Sequence, residues 1–232
     1  MLQAVVFDLD DTLYPEREFV LSGFRSVSKW VEQNTKISFA DAYGQLVQFF
    51  EEDSHGHTFD RFLKDHDIWS ASIVQKMVGI YRGHRPEISS FPEVLDMMAR
   101  LGKRFRIGLL SDGYLDVQQR KLDALGLEHC FNAVVFSDKW GKDAWKPSPY
   151  PFNVMLEIFG VRAVQAVYVA DNPVKDFLGA RRAGMSSVRV RLPGGVYSKM
   201  EPETSDHMPS IEITALGQLE EALLRIDCGG AV

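Results

Sequence analysis

The chain has 232 residues, 45% of them hydrophobic and 25% charged, with a net charge of −6. This is enough apolar chain for a sizeable core, and the length suits one domain carrying an insertion rather than a disordered or fibrous protein. The acidic balance argues against a nucleic-acid-binding face, and two distant cysteines, Cys130 and Cys228, argue against a disulfide framework. An anionic substrate is still compatible, because a bound metal and one or two lysines can reverse the potential locally. No cationic start leads into an apolar leader, and no apolar run has bilayer length. The expectation is a cytoplasmic protein with no membrane and no nucleic-acid partner; the oligomeric state is left open.

The first element is Val5-Val6-Phe7, a short β-branched and aromatic run that ends in Asp8, Asp10, Asp11 and Thr12. It reads as a buried strand with a turn at Tyr14-Pro15. Three carboxylates packed this closely repel one another, so a dication at the strand end is expected, beside a carboxylate able to act as a nucleophile. Residues 16–86 then read as helical throughout. Val20, Phe24, Val27 and Trp30-Val31 recur at helical spacing, Ser38 and Asp41 suggest a capping box, and Tyr43, Leu46, Val47 and Phe50 mark the next face. Phe59, Phe62 and Leu63 suggest a short third helix, and Ile73, Met77, Ile80 and Tyr81 a fourth. Amphipathic helices in a row with no strand signal can bury their faces against one another as a small bundle.

From residue 87 the pattern alternates. A helix starting at Pro92 and ending at Gly102 leads to a strand over 105–110 that stops at Ser111-Asp112-Gly113. A helix over 117–125 leads to a strand over 133–136, then a loop rich in Lys, Trp and Pro over 137–151. A helix over 152–159 precedes a strand over 166–170 that ends at Asp171-Asn172-Pro173. A helix over 174–183, a strand over 187–190, a loop over 193–209 and a closing helix over 216–226 complete the chain. Strands alternating with helices imply βαβ units and a parallel sheet covered by helices on both faces. The fold class is therefore α/β, with a core domain of residues 1–15 and 87–232 and an inserted helical-bundle domain of 16–86.

Polar clusters follow four of these strands, at Asp8 to Thr12, Ser111-Asp112-Gly113, Lys146-Pro147, and Asp171 with Asp176. Because parallel strands all point the same way, the clusters should gather at one sheet edge, where open α/β sheets bind ligands. Any one of them is a weak signal; four at successive strand ends are a strong one. Asp8-Leu9-Asp10-Asp11-Thr12, Leu110-Ser111-Asp112-Gly113, Lys146-Pro147-Ser148-Pro149 and Ala170-Asp171-Asn172-Pro173-Val174-Lys175-Asp176 resemble the four ordered motifs of the haloacid dehalogenase-like (HAD) hydrolase superfamily. The resemblance covers the whole sheet domain, and the helical insertion falls where that family carries its C1 cap. It implies a Rossmann-like core, Mg²⁺ and a phosphoaspartate intermediate. It makes Asp8 the nucleophile and a metal ligand, and Asp10 the general acid and base, offering the metal its backbone carbonyl. Ser111, with the backbone of Asp112 and Gly113, and the Lys146 ammonium become phosphate ligands. Asp171 becomes a metal ligand, and Asp176 supports the site; read from the residues alone, Thr12 can hydrogen-bond locally and hold Asp10 in place, or serve as a plain turn residue. Ala170 stands where the family usually has glycine, and the loop before Lys146 is longer than usual.

Elementary chemistry agrees with these roles. A carboxylate attacking a phosphate dianion needs cations on the equatorial oxygens, and a metal with Lys146 would supply them. Lys139 and Lys142 are alternative cations. The leaving alkoxide needs a proton, which Asp10 can deliver and later recover from water. The dehalogenase branch of the family lacks this second aspartate, so Asp10 favours phosphoryl chemistry. The expected activity is an Mg²⁺-dependent phosphatase acting on a small phosphorylated metabolite. A phosphomutase using the same intermediate and a catalytically silent binding protein are the alternatives; the latter should have lost Asp8, Asp10 or Asp171. Other residues carry weaker signals. His55 and His57 lack companions that would complete a metal site, and Trp140 and Trp145 read as packing. Arg181-Arg182 read as helix-dipole partners. Glu16, Arg17, Phe19, Arg82, His84 and Arg85 flank the insertion and could touch a leaving group.

Overall fold

A computed structural model of the chain describes residues 1–52 and 56–229. Among these residues six strands form one sheet: β1 (Ala4–Phe7), β2 (Arg106–Ser111), β3 (Ala133–Phe136), β4 (Ala166–Ala170), β5 (Ser186–Val190) and β6 (Ile211–Ile213). All neighbours are parallel, in the order β3-β2-β1-β4-β5-β6. The intervening helices are α1 (Glu16–Asn34), α2 (Phe39–Glu52), α3 (Thr58–Asp65), α4 (Ala71–Gly83), α5 (Val94–Leu101), α6 (Leu115–Leu125), α7 (Tyr150–Phe159), α8 (Asp176–Arg182) and α9 (Leu219–Asp227). By its contacts the chain divides into two compact units, Met1–Glu16 with Ser89–Val232, and Arg17–Ile88.

The sheet unit is a Rossmann-like α/β fold. Side chains alternate across each strand. Ala4 and Val6 of β1 and Ala166, Tyr168 and Ala170 of β4 share one cluster with Phe152, Met155, Phe177 and Ala180 of α7 and α8. Val5, Phe7, Val167 and Val169 point the other way and are equally buried, so both faces are covered. Such strands read as continuous apolar runs, which is why they were legible. Phe152 meets Tyr168 edge to face at 4.8 Å, and truncating it to alanine would cost about 3–5 kcal/mol.

The helical unit carries a core of its own. Val20, Phe24, Val27 and Val31 of α1 pack with Ala42, Leu46 and Phe49 of α2, Phe62 and Leu63 of α3, and Met77 of α4. Gly23 lets α1 approach α4, because a Cβ there would lie 2.4 Å from the Tyr81 ring. The expected capping box at Ser38 forms only in part. Asp41 N–H donates to Ser38 Oγ at 3.2 Å, but the Asp41 carboxylate takes the Ser38 hydroxyl rather than a backbone N–H.

Elsewhere the boundaries shift by a few residues. The helix expected from Pro92 begins at Val94, and Gly102 is right-handed (φ −63°), since the chain turns gradually into β2. The helix expected over 174–183 is α8, shortened at its start by the turn that holds Asp171 to Lys175. Strand β6 was missed: it has three residues and sits at the sheet edge, too short for an alternation signal. The loop before it is tied down by the fully buried Arg189 of β5. Its guanidinium donates to the carbonyls of Asp171 (3.2 Å), Tyr197 (2.9 Å) and Met200 (2.7 Å), and to Glu212 (3.2 Å).

Candidate active site

The strand order reverses between β1 and β4, and that is where open parallel sheets bind ligands. Their register pairs Phe7 with Val169, and Asp8 N–H donates to Val169 O at 2.9 Å. Asp8 and Asp171 therefore leave the sheet side by side. One turn later Asn172 N–H donates to Asp176 Oδ2 at 3.0 Å, folding the first residue of α8 back beneath them. Carboxylate oxygens of Asp8, Asp171 and Asp176, all buried, lie within 4.8 Å of one another.

Lys146 completes this cluster. Its fully buried ammonium lies 2.8 Å from Asp8 Oδ1 and 2.7 Å from Asp176 Oδ1, and it donates to Tyr168 OH at 2.8 Å. One ammonium shared among several acids does not neutralise them. Burial, with Asp176 opposing the pull of Lys146, pushes Asp8 up to about 6. Burial and the charges of Asp176 and Asp8 raise Asp171 well above the ordinary carboxylate value. Burial works to lower Lys146, but Asp176 and Asp8 outweigh it and raise its pKa. Buried oxygen donors with surplus negative charge are the donor set that a hard divalent cation takes.

Asp10 sits differently. Its carboxylate accepts from Lys121 Nζ through both oxygens, at 2.7 and 2.9 Å, from Gln118 Nε2 at 3.1 Å and from the Tyr14 hydroxyl. Burial alone would raise Asp10, but the charge and hydrogen bonds of Lys121, with those of Tyr14 and Gln118, hold it below the usual value. Beside it, burial and the Asp10 charge push the half-buried Glu16 up to about 7. Asp11, in the left-handed region (φ +50°), is a turn residue that ties segments together. One of its oxygens accepts from Glu16 N–H at 2.8 Å and the other from Val196 N–H at 2.7 Å.

At the end of β2, Ser111 is buried and Gly113 has φ +119°, a conformation open to glycine. The Asp112 carboxylate is engaged inside the protein. It accepts from Lys146 N–H (3.2 and 3.1 Å), Ser137 Oγ (2.6 Å) and Lys175 Nζ (3.3 Å), so anything Asp112 offers an anion comes from its main chain. The four strand-end clusters thus converge, and they bring in side chains that sequence reasoning passed over: Tyr14, Gln118, Lys121, Ser137, Tyr168 and Lys175. Signals existed for some of them. A tyrosine in a buried strand needs a partner for its hydroxyl, and a lysine on the inward face of a helix is rarely buried unless paired.

One supporting residue is corrected. The Thr12 hydroxyl is buried with no hydrogen-bond partner among the described residues, and it does not hold Asp10; both Asp10 oxygens are already taken by stronger donors. Of the three lysines weighed, Lys146 is the one that reaches Asp8. Lys139 lies over the Trp140 ring at 5.6 Å, and Lys142 over Tyr114 and Trp145 at 5.7 and 5.9 Å. Trp145 meets Tyr114 edge to face, and the exposed Trp140 meets the exposed Tyr150 in the same way. Arg181 and Arg182 lie in the last turn of α8, where cations complement the dipole. In the helical unit, Arg17 pairs with Glu51 at 2.5 Å, and the buried His84 ring packs on Phe19 at 4.9 Å. His55 lies outside the described residues, and His57 is exposed.

Comparison with known proteins agrees with this geometry. The model of the haloacid dehalogenase-like hydrolase family matches residues 5–190. A glyceraldehyde 3-phosphate phosphatase of Methanopyrus kandleri is 32% identical over 221 residues, covering 92% of this chain and 93% of that one. A phosphoserine phosphatase of Thermus thermophilus is 35% identical over 135 residues, covering 58% of this chain and 50% of that one. Among solved structures, a HAD-hydrolase of Bacillus subtilis bound to magnesium superposes with a TM-score of 0.70 at 21% identity, covering 96% of this chain and 98% of the other, and so shows the shared fold. The chain belongs to the haloacid dehalogenase-like hydrolases, and within them to the phosphatases. No helix among the described residues is long and apolar enough to cross a membrane.

Proposed function

We propose that the protein is an Mg²⁺-dependent phosphatase of small phosphorylated metabolites that works through an aspartyl-phosphate on Asp8. The observation that carries this reading is the buried group of Asp8, Asp171 and Asp176 at the strand-order reversal, with Lys146 Nζ 2.8 Å from the Asp8 carboxylate. Asp8 and Asp171 would hold Mg²⁺ through their carboxylates and Asp10 through its backbone carbonyl. Asp176, whose oxygens already meet Asn172 N–H and Lys146, orients this set. Bound Mg²⁺ would neutralise charge on the phosphoryl oxygens and let the crowded carboxylates ionise.

In the first step an Asp8 oxygen bonds to phosphorus as the ester P–O bond breaks, and Asp10, ionised in the free site, passes to the departing alkoxide a proton that it takes up when the substrate binds. In the second, water adds to the aspartyl-phosphate, Asp10 takes the water proton, and phosphate leaves with Asp8 restored. Lys146, Ser111 and the main chain of Asp112 and Gly113 bind the phosphoryl oxygens throughout. The inserted helices 16–86 form the cap domain. The names of the relatives point to a three-carbon phosphate or phosphoserine as the first substrates to try.

The test is hydrolysis of p-nitrophenyl phosphate, glyceraldehyde 3-phosphate and phosphoserine with Mg²⁺ and with EDTA, together with acid-quench mass spectrometry of the protein. Turnover should need the metal, and a phosphoryl adduct should map to Asp8. Turnover that survives EDTA, or an adduct absent under single-turnover conditions, would overturn the proposal.

A further inference from the structure

The helix after the second strand is built around Asp10. Gln118 and Lys121 of α6 are three residues apart, so they share a helix face, and both side chains are buried at the Asp10 carboxylate. Lys121 meets both oxygens at 2.7 and 2.9 Å; Gln118 Nε2 meets Oδ2 at 3.1 Å and also donates to the carbonyl of Asp112. Gly113 permits this, since a Cβ there would lie 2.6 Å from Gln118 Nε2. Tyr14, four residues after Asp10, closes the ring of donors from the β1 side. Tyr14, Gln118 and Lys121 thus all reach the carboxylate that must change partners twice per turnover, once to meet the leaving oxygen and once to meet water.

We propose that Lys121, with Gln118, is a positioning residue for proton transfer by Asp10: it fixes the orientation of the Asp10 carboxylate and acts through it, without touching the phosphoryl group. This deepens the reading of Asp10 as the proton-transfer residue and rests on it. The signature follows from the leaving group. A nitrophenolate departs without a proton, whereas an alkoxide needs one, so misplacing Asp10 should slow phosphoryl transfer from alkyl phosphates far more than from p-nitrophenyl phosphate.

The experiment is single-turnover quenched flow on the Mg²⁺-loaded enzyme, measuring phosphoenzyme formation from glycerol 3-phosphate and from p-nitrophenyl phosphate. Lys121→Met should slow formation from the alkyl ester by about 10²-fold, within the range general acid catalysis supplies, and from the aryl ester by less than about threefold. Lys121→Arg, which keeps a charged donor, should recover most of the loss. In an Asp10→Asn background, Lys121→Met should add little further loss, because the two act as a unit. Gln118→Met should repeat the pattern more weakly, and it serves as the second variant if Lys121→Met does not fold. Equal losses on the two esters, or a full additional loss in the Asp10→Asn background, would overturn the role of Lys121 while leaving Asp10 in place. An Asp10→Asn variant that shows no leaving-group selectivity would instead overturn the reading of Asp10 itself, and this inference with it.

Discussion

Asp8 and Asp10 are two residues apart at the end of one strand, yet their surroundings push them in opposite directions: Asp8 up to about 6, Asp10 below its ordinary value. Asp8 is buried and Asp10 half-buried, and both face a lysine at hydrogen-bond distance. The difference lies in the stoichiometry of charge. Lys146 is divided between Asp8 and Asp176, with Asp171 beside them, so burial and like-charge repulsion win. Lys121 gives both oxygens of Asp10 a bond, and the pair overcomes burial. Here one carboxylate is left short of positive charge, which a metal can supply, and the other is satisfied and held still.

The comparison can be broken most sharply at Asp8. Asp8→Asn keeps the shape but removes the proposed nucleophile, and turnover of p-nitrophenyl phosphate with Mg²⁺ should fall by at least about 10³-fold; near wild-type kcat would end its role. Next come the two lysines. Lys146→Met strands Asp8 and Asp176 as buried unpaired acids and should cost about 3–5 kcal/mol in urea unfolding without metal. Lys121→Met should cost less, since the Asp10 side chain keeps 18% of its surface exposed to water. Equal losses would mean that the two acids are not differently compensated.

The charge deficit at Asp8 also predicts a pH dependence. A group raised to about 6 is protonated below that pH, so there a metal must displace a proton that it need not displace at pH 7.5. Apparent Mg²⁺ affinity, read from thermal-shift titrations, should therefore fall as the pH drops from 7.5 to 5. In the metal-free protein the sign reverses. The folded state holds this proton more tightly than the unfolded chain, so the contribution of Asp8 to stability declines as pH rises from about 4 to 6. An Mg²⁺ affinity independent of pH would show that Asp8 is ionised without the metal. The smallest effect is expected at Thr12. Its hydroxyl has no partner among the described residues, so Thr12→Val should leave urea stability within about 0.5 kcal/mol of wild type. A larger loss would reveal a bond to Asp10.

The residues at the ends of the parallel strands were legible because each signal is local. Val5-Val6-Phe7 and Ala166 to Ala170 are apolar runs that stop at acids, and a strand end in a parallel sheet points where its neighbours point. Strand β6 was not legible, because Ile211–Ile213 is too short to show a period and becomes a strand only by pairing with β5. Of the two readings of Thr12, the bond to Asp10 rested on nearness in sequence, and donors from elsewhere in the chain take that carboxylate instead.

The order of the acidic and basic clusters, and the chemistry they imply, belong to the amino-acid sequence, since hydrophobic runs and their terminators act over a few residues. Which ammonium faces which carboxylate belongs to the tertiary structure. Lys121 meets Asp10 across 111 residues, and Lys146 meets Asp8 across 138. No local pattern encodes such pairs. The strand order that places β1 beside β4, and the packing of α6 against the end of β1, bring them together, and with them the opposite fates of two neighbouring aspartates.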